Sequence, residues 1–219
     1  LGFVKGVSVP EGEVLWQQHY KGSVFSTPAT DGQVVAFGTV SGDVVGLDVQ
    51  DGSEKWRAKA GTPVLAEGTV SNGNLYIGGG QSAFMKIDMT DGAILWSYDG
   101  IEGLVQGRPA LGADEVVFGA WDTHLYSLDR KTGSLNWKWD NDTEVKLYSP
   151  GNIAPAIARE KVFLVAPDRY MTALDLDSGR EIWRTDKHQV RESMGISPDG
   201  SRVYAKLMND SIIAVSTKV

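Results

Sequence analysis

Five tryptophans stand in a single register along this chain, and that register limits what it can fold into more than any other feature. They are Trp16, Trp56, Trp96, Trp137 and Trp183, at spacings of 40, 40, 41 and 46 residues. Four residues before each stands a glycine: Gly12, Gly52, Gly92, Gly133 and Gly179. Eight residues before each of the last four stands an aspartate: Asp48, Asp88, Asp129 and Asp175. The aligned segments read GLDVQDGSEKW, KIDMTDGAILW, SLDRKTGSLNW and ALDLDSGREIW. Self-similarity at a fixed period marks a repeat architecture, in which each unit buries its apolar surface against the next.

Each repeat divides into strands by period-two patterning and turn punctuation. In the first full repeat VFSTPAT, a DG turn, VVAFGTV, an SGD turn, VVGLDV, a QDG turn and SEKWRA follow one another. Asn72-Gly73 and Asp199-Gly200 supply further hairpin turns, because both pairs tolerate positive φ. No segment carries apolar residues at helical spacing, so almost no helix is expected. Four-stranded units at this period predict an all-β chain, a β-propeller of antiparallel blades. Four complete blades are expected near residues 24–58, 64–98, 106–140 and 149–185. Residues 13–18 supply a single strand of a first partial blade, and residues 194–215 supply three of a last one. Twenty strands divide into five blades, so the first strand would complete the last blade, close the ring and bury its edges. A fragment of a seven- or eight-bladed ring is the alternative. In both readings residues 1–219 form one propeller domain.

The periodic tryptophans are assigned to blade docking: a large flat side chain in the outermost strand packs on the neighbouring blade. Gly46, Ala173 and the turn glycine make room for it, and the motif aspartate orders the turn through its side chain. The pattern in ALDLDSGREIW resembles the repeat of the pyrroloquinoline-quinone (PQQ)-like, tryptophan-docking propellers over nearly the whole chain. That superfamily includes quinoprotein alcohol dehydrogenases, a lipoprotein of the outer-membrane assembly machine and sensor domains of bacterial kinases. One fold hosts all these roles, so the resemblance implies the fold rather than an activity. LYSPGNIAPAIAREKVFLVAPDRYMTALD and MGISPDGSRVYAKLMND resemble more narrowly the propellers attached to metallophosphoesterase domains in bacterial envelope proteins.

Composition narrows the partners. A net charge of −7 with no basic stripe argues against nucleic acid. No apolar run reaches the roughly 18–20 residues that span a bilayer. The absence of cysteine removes disulfides, thiolate nucleophiles and Cys-type zinc sites together. The first residues, LGFVKGVSVPEGE, carry no signal sequence, so the chain reads as a mature form or an excised piece.

Candidate chemistry lies where the sequence exceeds what a blade needs. The turns joining second to third strands are VSGD, GGQS, AWDTH, APDRY and LMNDS. Trp121, Asp122 and His124 set an off-register indole beside an acid and an imidazole, and Asp168, Arg169 and Tyr170 group a carboxylate, a guanidinium and a phenol. Both groups are candidates for binding, against the alternative of a solvated rim. Glu67, Arg108, Asn152 and Glu192 begin the innermost strands, with Arg108 the best candidate for a polar group facing the axis. Asp140, Asp142 and Glu144 make the 139–149 segment the most acidic, and hard oxygen ligands suit Ca²⁺, yet no calcium-loop spacing is present. His19, His124 and His188 stand neither at metal spacing nor near a G-x-S-x-G nucleophile turn.

These residues point to a non-catalytic binding or scaffolding propeller of a bacterial cell-envelope protein, periplasmic or extracellular. Its rim loops would meet a protein, a peptide or a glycan, with no cofactor. Two alternatives stay open: an accessory region of a metallophosphoesterase, and a degenerate quinoprotein binding PQQ and Ca²⁺.

Overall fold

The structure is a computed structural model and describes residues 2–80, 83–142, 149–165, 168–191 and 194–218, without the side chains of 186–188. Apart from one 3-10 turn at Pro150–Asn152, its regular elements are strands joined in antiparallel meanders. The chain divides into two compact units, Leu1–Val105 and Gln106–Val219.

The first unit begins with a two-stranded sheet, β1 (Gly2–Val7) and β2 (Val14–Tyr20). A four-stranded sheet follows, of β3 (Ala29–Thr30), β4 (Val34–Gly38), β5 (Asp43–Asp48) and β6 (Glu54–Lys59). A second comprises β7 (Thr69–Ser71), β8 (Asn74–Gly79), β9 (Ala83–Asp88) and β10 (Ile94–Tyr98). In the second unit one blade holds β11 (Ala110–Leu111), β12 (Glu115–Gly119), β13 (Leu125–Asp129) and β14 (Leu135–Trp139). The next holds β15 (Ala156–Ala158), β16 (Lys161–Leu164), β17 (Tyr170–Asp175) and β18 (Glu181–Gln189). The last sheet has three strands, β19 (Gly195–Ile196), β20 (Arg202–Lys206) and β21 (Ile212–Ser216).

One expectation is corrected by this strand order. The N-terminal partial blade has two strands, not one, so the described strands number 21 and the even division into five blades fails. The extra strand, β1, takes the third-strand place of its blade: Gly6 pairs with Trp16 as Gly46 pairs with Trp56. Ser8 stands where the other repeats have aspartate, eight residues before Trp16, and its hydroxyl accepts from Glu13 N at 3.2 Å. A hydroxyl ties the far end of that turn where the other repeats set a carboxylate on the N–H two or three residues on, which is why a search for Asp passes over it.

The turn between third and fourth strands recurs in detail. Gly52 N donates to Asp48 O at 2.9 Å, Gly133 N to Asp129 O at 2.8 Å, and Gly179 N to Asp175 O at 2.9 Å. The aspartate side chain caps the same turn, accepting from Gln50 N, Lys131 N and Ser178 N at 2.8–2.9 Å. The glycine is demanded twice at Gly52 and Gly179. Both have φ near +70°, and a Cβ there would lie 2.5 Å from the ring of Trp16 or Trp137.

That ring belongs to the preceding blade, and it is fastened by its own polar atom. Trp16 Nε1 donates to Val49 O at 2.9 Å, Trp56 Nε1 to Met89 O at 2.8 Å, and Trp137 Nε1 to Leu176 O at 2.8 Å. A buried indole thus meets a partner for its only donor. Trp96 packs within its own blade against Tyr76 and Phe84, both at 6.2 Å, and Trp183 against Phe163 at 6.1 Å. The cores lie between blades. One joins Val44, Trp56, Leu75 and Met89 in the first unit; another joins Val117, Trp137, Phe163, Leu174 and Val203 in the second.

Candidate functional site

Turns between second and third strands share a face with the loops that lead into the next blade. Val64 N donates to Thr39 O at 2.9 Å, and Gly151 N to Ala120 O at 3.1 Å. The backbone of these turns is set by one polar side chain and one residue in the left-handed region. Thr123 (φ 74°), Arg169 (φ 71°) and Asp210 (φ 65°) take the place of Gly42 (φ 87°). Just before them, Asp122 Oδ1 accepts from His124 N at 3.1 Å, Asp168 Oδ1 from Tyr170 N at 3.1 Å, and Asn209 Oδ1 from Ser211 N at 3.2 Å. An Asx cap of this kind allows a non-glycine residue to sit at positive φ. Asp122 and Asp168 therefore each commit one oxygen to the turn.

The remaining oxygens tie the two turns to one short segment. Asp122 Oδ2 accepts from the Tyr126 hydroxyl at 2.5 Å. His124 lies between two acids, with Nδ1 3.4 Å from Asp122 Oδ1 and Nε2 3.7 Å from Asp140 Oδ2. Its Nδ1 is buried without a hydrogen-bond partner among the described residues. The next residue, Asn141, donates to Asp168 Oδ2 at 3.2 Å. Asp168, 3% exposed, is also paired with Arg184, whose guanidinium lies 5.6 Å from the Tyr170 ring centroid. Residues 140–141 thus bring the Trp121–His124 and Asp168–Tyr170 turns, which belong to successive blades, into one network.

Two side chains of that network face outward. Trp121 is 48% exposed and lies over Gly151, where a Cβ would approach the indole Cδ1 to 2.6 Å. Arg169 is half-buried and donates to Arg191 O at 3.0 Å. Arg108 and Asn152 are exposed, Glu67 is half-buried, and Arg108 makes no ion pair among the described residues of its own unit. Glu144 and Glu192 lie outside the described residues, as does the side chain of His188. Asp142 N donates to Asp140 Oδ1 at 2.6 Å, so that acidic pair is spent partly on its own turn. Among the described residues no group of three or more His, Asp or Glu stands placed to hold a metal ion.

Sequence reading passed over a cleft in the first unit, of about 330 Å³, walled by the end of β2, residues 39–43 and β6. At its base Arg57 donates to Asp43 Oδ2 at 2.7 Å and grips both oxygens of Glu54, at 2.9 and 2.5 Å. Lys59 donates to Asp43 Oδ1 at 2.6 Å. Burial alone would push the Asp43 carboxyl up, but hydrogen bonds from Lys59 and Arg57 outweigh it and hold the carboxyl below the ordinary range. Burial, reinforced by Glu54, pushes the Tyr20 phenol up. No signal in one repeat marks this cleft, because its walls come from two successive blades.

Tryptophan-docked four-stranded blades define a propeller of the PQQ-like repeat class. The chain belongs to the family described as outer membrane protein assembly factor BamB, whose profile matches residues 2–144 and 139–218. It is 23% identical over 238 residues to outer membrane protein assembly factor BamB of Yersinia pestis, covering 99% of this chain and 59% of that protein. Its namesake from Escherichia coli K12 is 25% identical over 249 residues, covering 86% and 62%. The chain thus spans less than two-thirds of the length of these relatives. BamB from Moraxella catarrhalis superposes with a TM-score of 0.75 at 21% identity, over 98% of this chain and 64% of that one. The computationally designed Ika8 protein superposes with a TM-score of 0.76 at 18% identity, over 94% and 62%. These likenesses show the fold. The narrower resemblance to propellers attached to metallophosphoesterases is not supported, since the relatives are assembly factors.

Proposed function

We propose that this chain is a non-catalytic, protein-binding propeller of the bacterial envelope that works in outer-membrane protein assembly, on the periplasmic side. The observation that carries this reading is the family match along nearly the whole chain. The physical design agrees with it: packed interblade cores keep the blades rigid, while turns on one face vary in sequence without disturbing them. No helix of the described residues is long and apolar enough to cross a membrane. Partner contact falls to the rim turns, with Trp121 as the aromatic anchor of one and Arg169 and Tyr170 on the next, and with Arg108 as an exposed cation nearer the axis. Asp122, His124 and Asp168 hold the turns that present them. No PQQ or Ca²⁺ enters this reading. An accessory role in a metallophosphoesterase has no observation in its favour.

The test is co-purification of the tagged chain with outer-membrane assembly proteins from its host's envelope. The wild-type chain is expected to retain a specific partner, and Trp121→Ala with Arg169→Ala to lose most of it while staying folded. Absence of any assembly protein from the wild-type eluate refutes the reading. Retention unchanged in the double variant moves the contact away from this rim.

A further inference from the structure

In the cleft of the first unit the charges and hydroxyls are unevenly used. Each acid in it is already matched: Glu54 by Arg57, and Asp43 by Arg57 and Lys59. Lys21 is the cation left over, exposed and without an ion pair among the described residues. Two hydroxyls join it. Tyr20 is 8% exposed, so its phenol is fixed in place, and that hydroxyl has no hydrogen-bond partner among the described residues. Ser41 lines the same cleft, its Oγ 2.7 Å from where a Cβ of Gly22 would lie, and likewise has no partner among the described residues. His19 adds a further donor. Gln17 Nε2 lies 2.6 Å from His19 Nε2, and when the amide donates to that nitrogen the ring proton resides on Nδ1.

We propose that this cleft binds one carboxylate group presented by a polypeptide, with Lys21 supplying the charge and the Tyr20 and Ser41 hydroxyls the orienting hydrogen bonds. Charge selects an anion: Arg57 in the lining and Lys59 just outside it already match Asp43 and Glu54, so Lys21 is the one lining cation with no acid of its own among the described residues. A preformed ion-paired base costs the ligand no rearrangement, since Arg57 and its acids are already locked together. Size selects a small group. A volume of about 330 Å³ lies at the lower end of ligand sites and holds an amino-acid residue or two rather than a glycan chain. Tyr20 remains a donor across the physiological range, since burial raises its phenol. Neither a chain terminus nor an Asp or Glu side chain is favoured by this chemistry. The site does not depend on the assembly-factor reading.

The experiment is an amide-detected NMR titration of the whole chain with three small probes. They are N-acetyl-Gly-Gly with a free carboxylate, the same peptide amidated, and N-acetyl-aspartate α-amide. The free-acid peptide or the aspartate probe, or both, should shift the amides of Tyr20, Lys21 and Ser41 saturably. The amidated peptide should not. Which acid binds tells a terminus from a side chain. Lys21→Ala and Tyr20→Phe should each weaken binding about tenfold, the size expected for a charge-assisted hydrogen bond. Raised salt should weaken it further. Equal shifts with the amidated peptide, no saturable shift with either acid, or an unchanged isotherm in Lys21→Ala overturns the proposal. The amidated control decides the matter even if a variant is unstable.

Discussion

At the scale of single residues, tryptophans of one chemical type divide by where their nitrogen goes. Trp56 and Trp137 are buried and donate to a carbonyl of the following blade, whereas Trp121 lies half in solvent. Trp56→Ala should therefore destabilise the chain by about 3–5 kcal/mol in urea unfolding, and Trp121→Ala by less than about 1 kcal/mol. Trp56→Phe isolates the polar part of the effect. It leaves Met89 O without its donor and should cost about 1–3 kcal/mol. Gly179→Ala is expected to be as harmful as a core truncation, because positive φ and the Trp137 ring both oppose a Cβ. The docking residues were legible because bulk at a fixed period has one physical use. The rim residues were less so. An aspartate that caps a turn and an aspartate that binds a partner look alike in sequence, and Asp122 and Asp168 proved to be at least the first.

At the scale of elements, the tops of third and fourth strands are stapled at one recurring place. Asp43 pairs with Lys59 in one blade, and His124 faces Asp140 at the corresponding place in another. The strand order of the full repeats was readable from alternation and turn pairs. The first partial blade was not, because β1 begins the chain and its turn uses Ser8 where the motif has aspartate. Turn and staple carboxylates also set the acid behaviour. Asp175 is held low by the Ser178 hydroxyl and then its N–H, and Asp129 by the Thr132 N–H and then its hydroxyl. Asp43 is low for the reasons given above. A carboxyl with its folded pKa depressed stabilises the fold above its unfolded pKa, near 4, and that contribution fades as pH falls through the folded value. Unfolding free energy should thus be flat from about pH 7 to 5 and decline below about pH 4. Asp175→Asn should flatten that decline, since the amide keeps an oxygen for the turn but does not titrate. A decline as steep in the variant as in the wild-type chain would assign the acid sensitivity elsewhere.

At the scale of the molecule, stability is distributed along the repeat. Each unit has its own interblade core, and a repeat array behaves roughly as a sum of neighbour terms. Trp137→Ala should accordingly raise amide hydrogen exchange in β11–β18 well before it does in Leu1–Val105, measured by mass spectrometry. Uniform deprotection would show a single cooperative whole. Function follows the same logic, because packing fixes the blades and leaves the rim turns free to differ. The cleft beside Tyr20 illustrates the limit of reading one repeat at a time: Lys21 follows one blade, while Ser41 and Arg57 belong to the next.

The acceptors of the docking indoles carry a last consequence. Val49, Met89 and Leu176 differ in side chain, yet each receives the tryptophan through its peptide oxygen. An attachment point made of main chain is present whatever residue occupies the position. A duplicated stretch of forty residues would arrive already compatible with both neighbours, and its side chains would be free to diverge from the first generation onward. Lengthening by duplication is thus written into the chemistry of the joint.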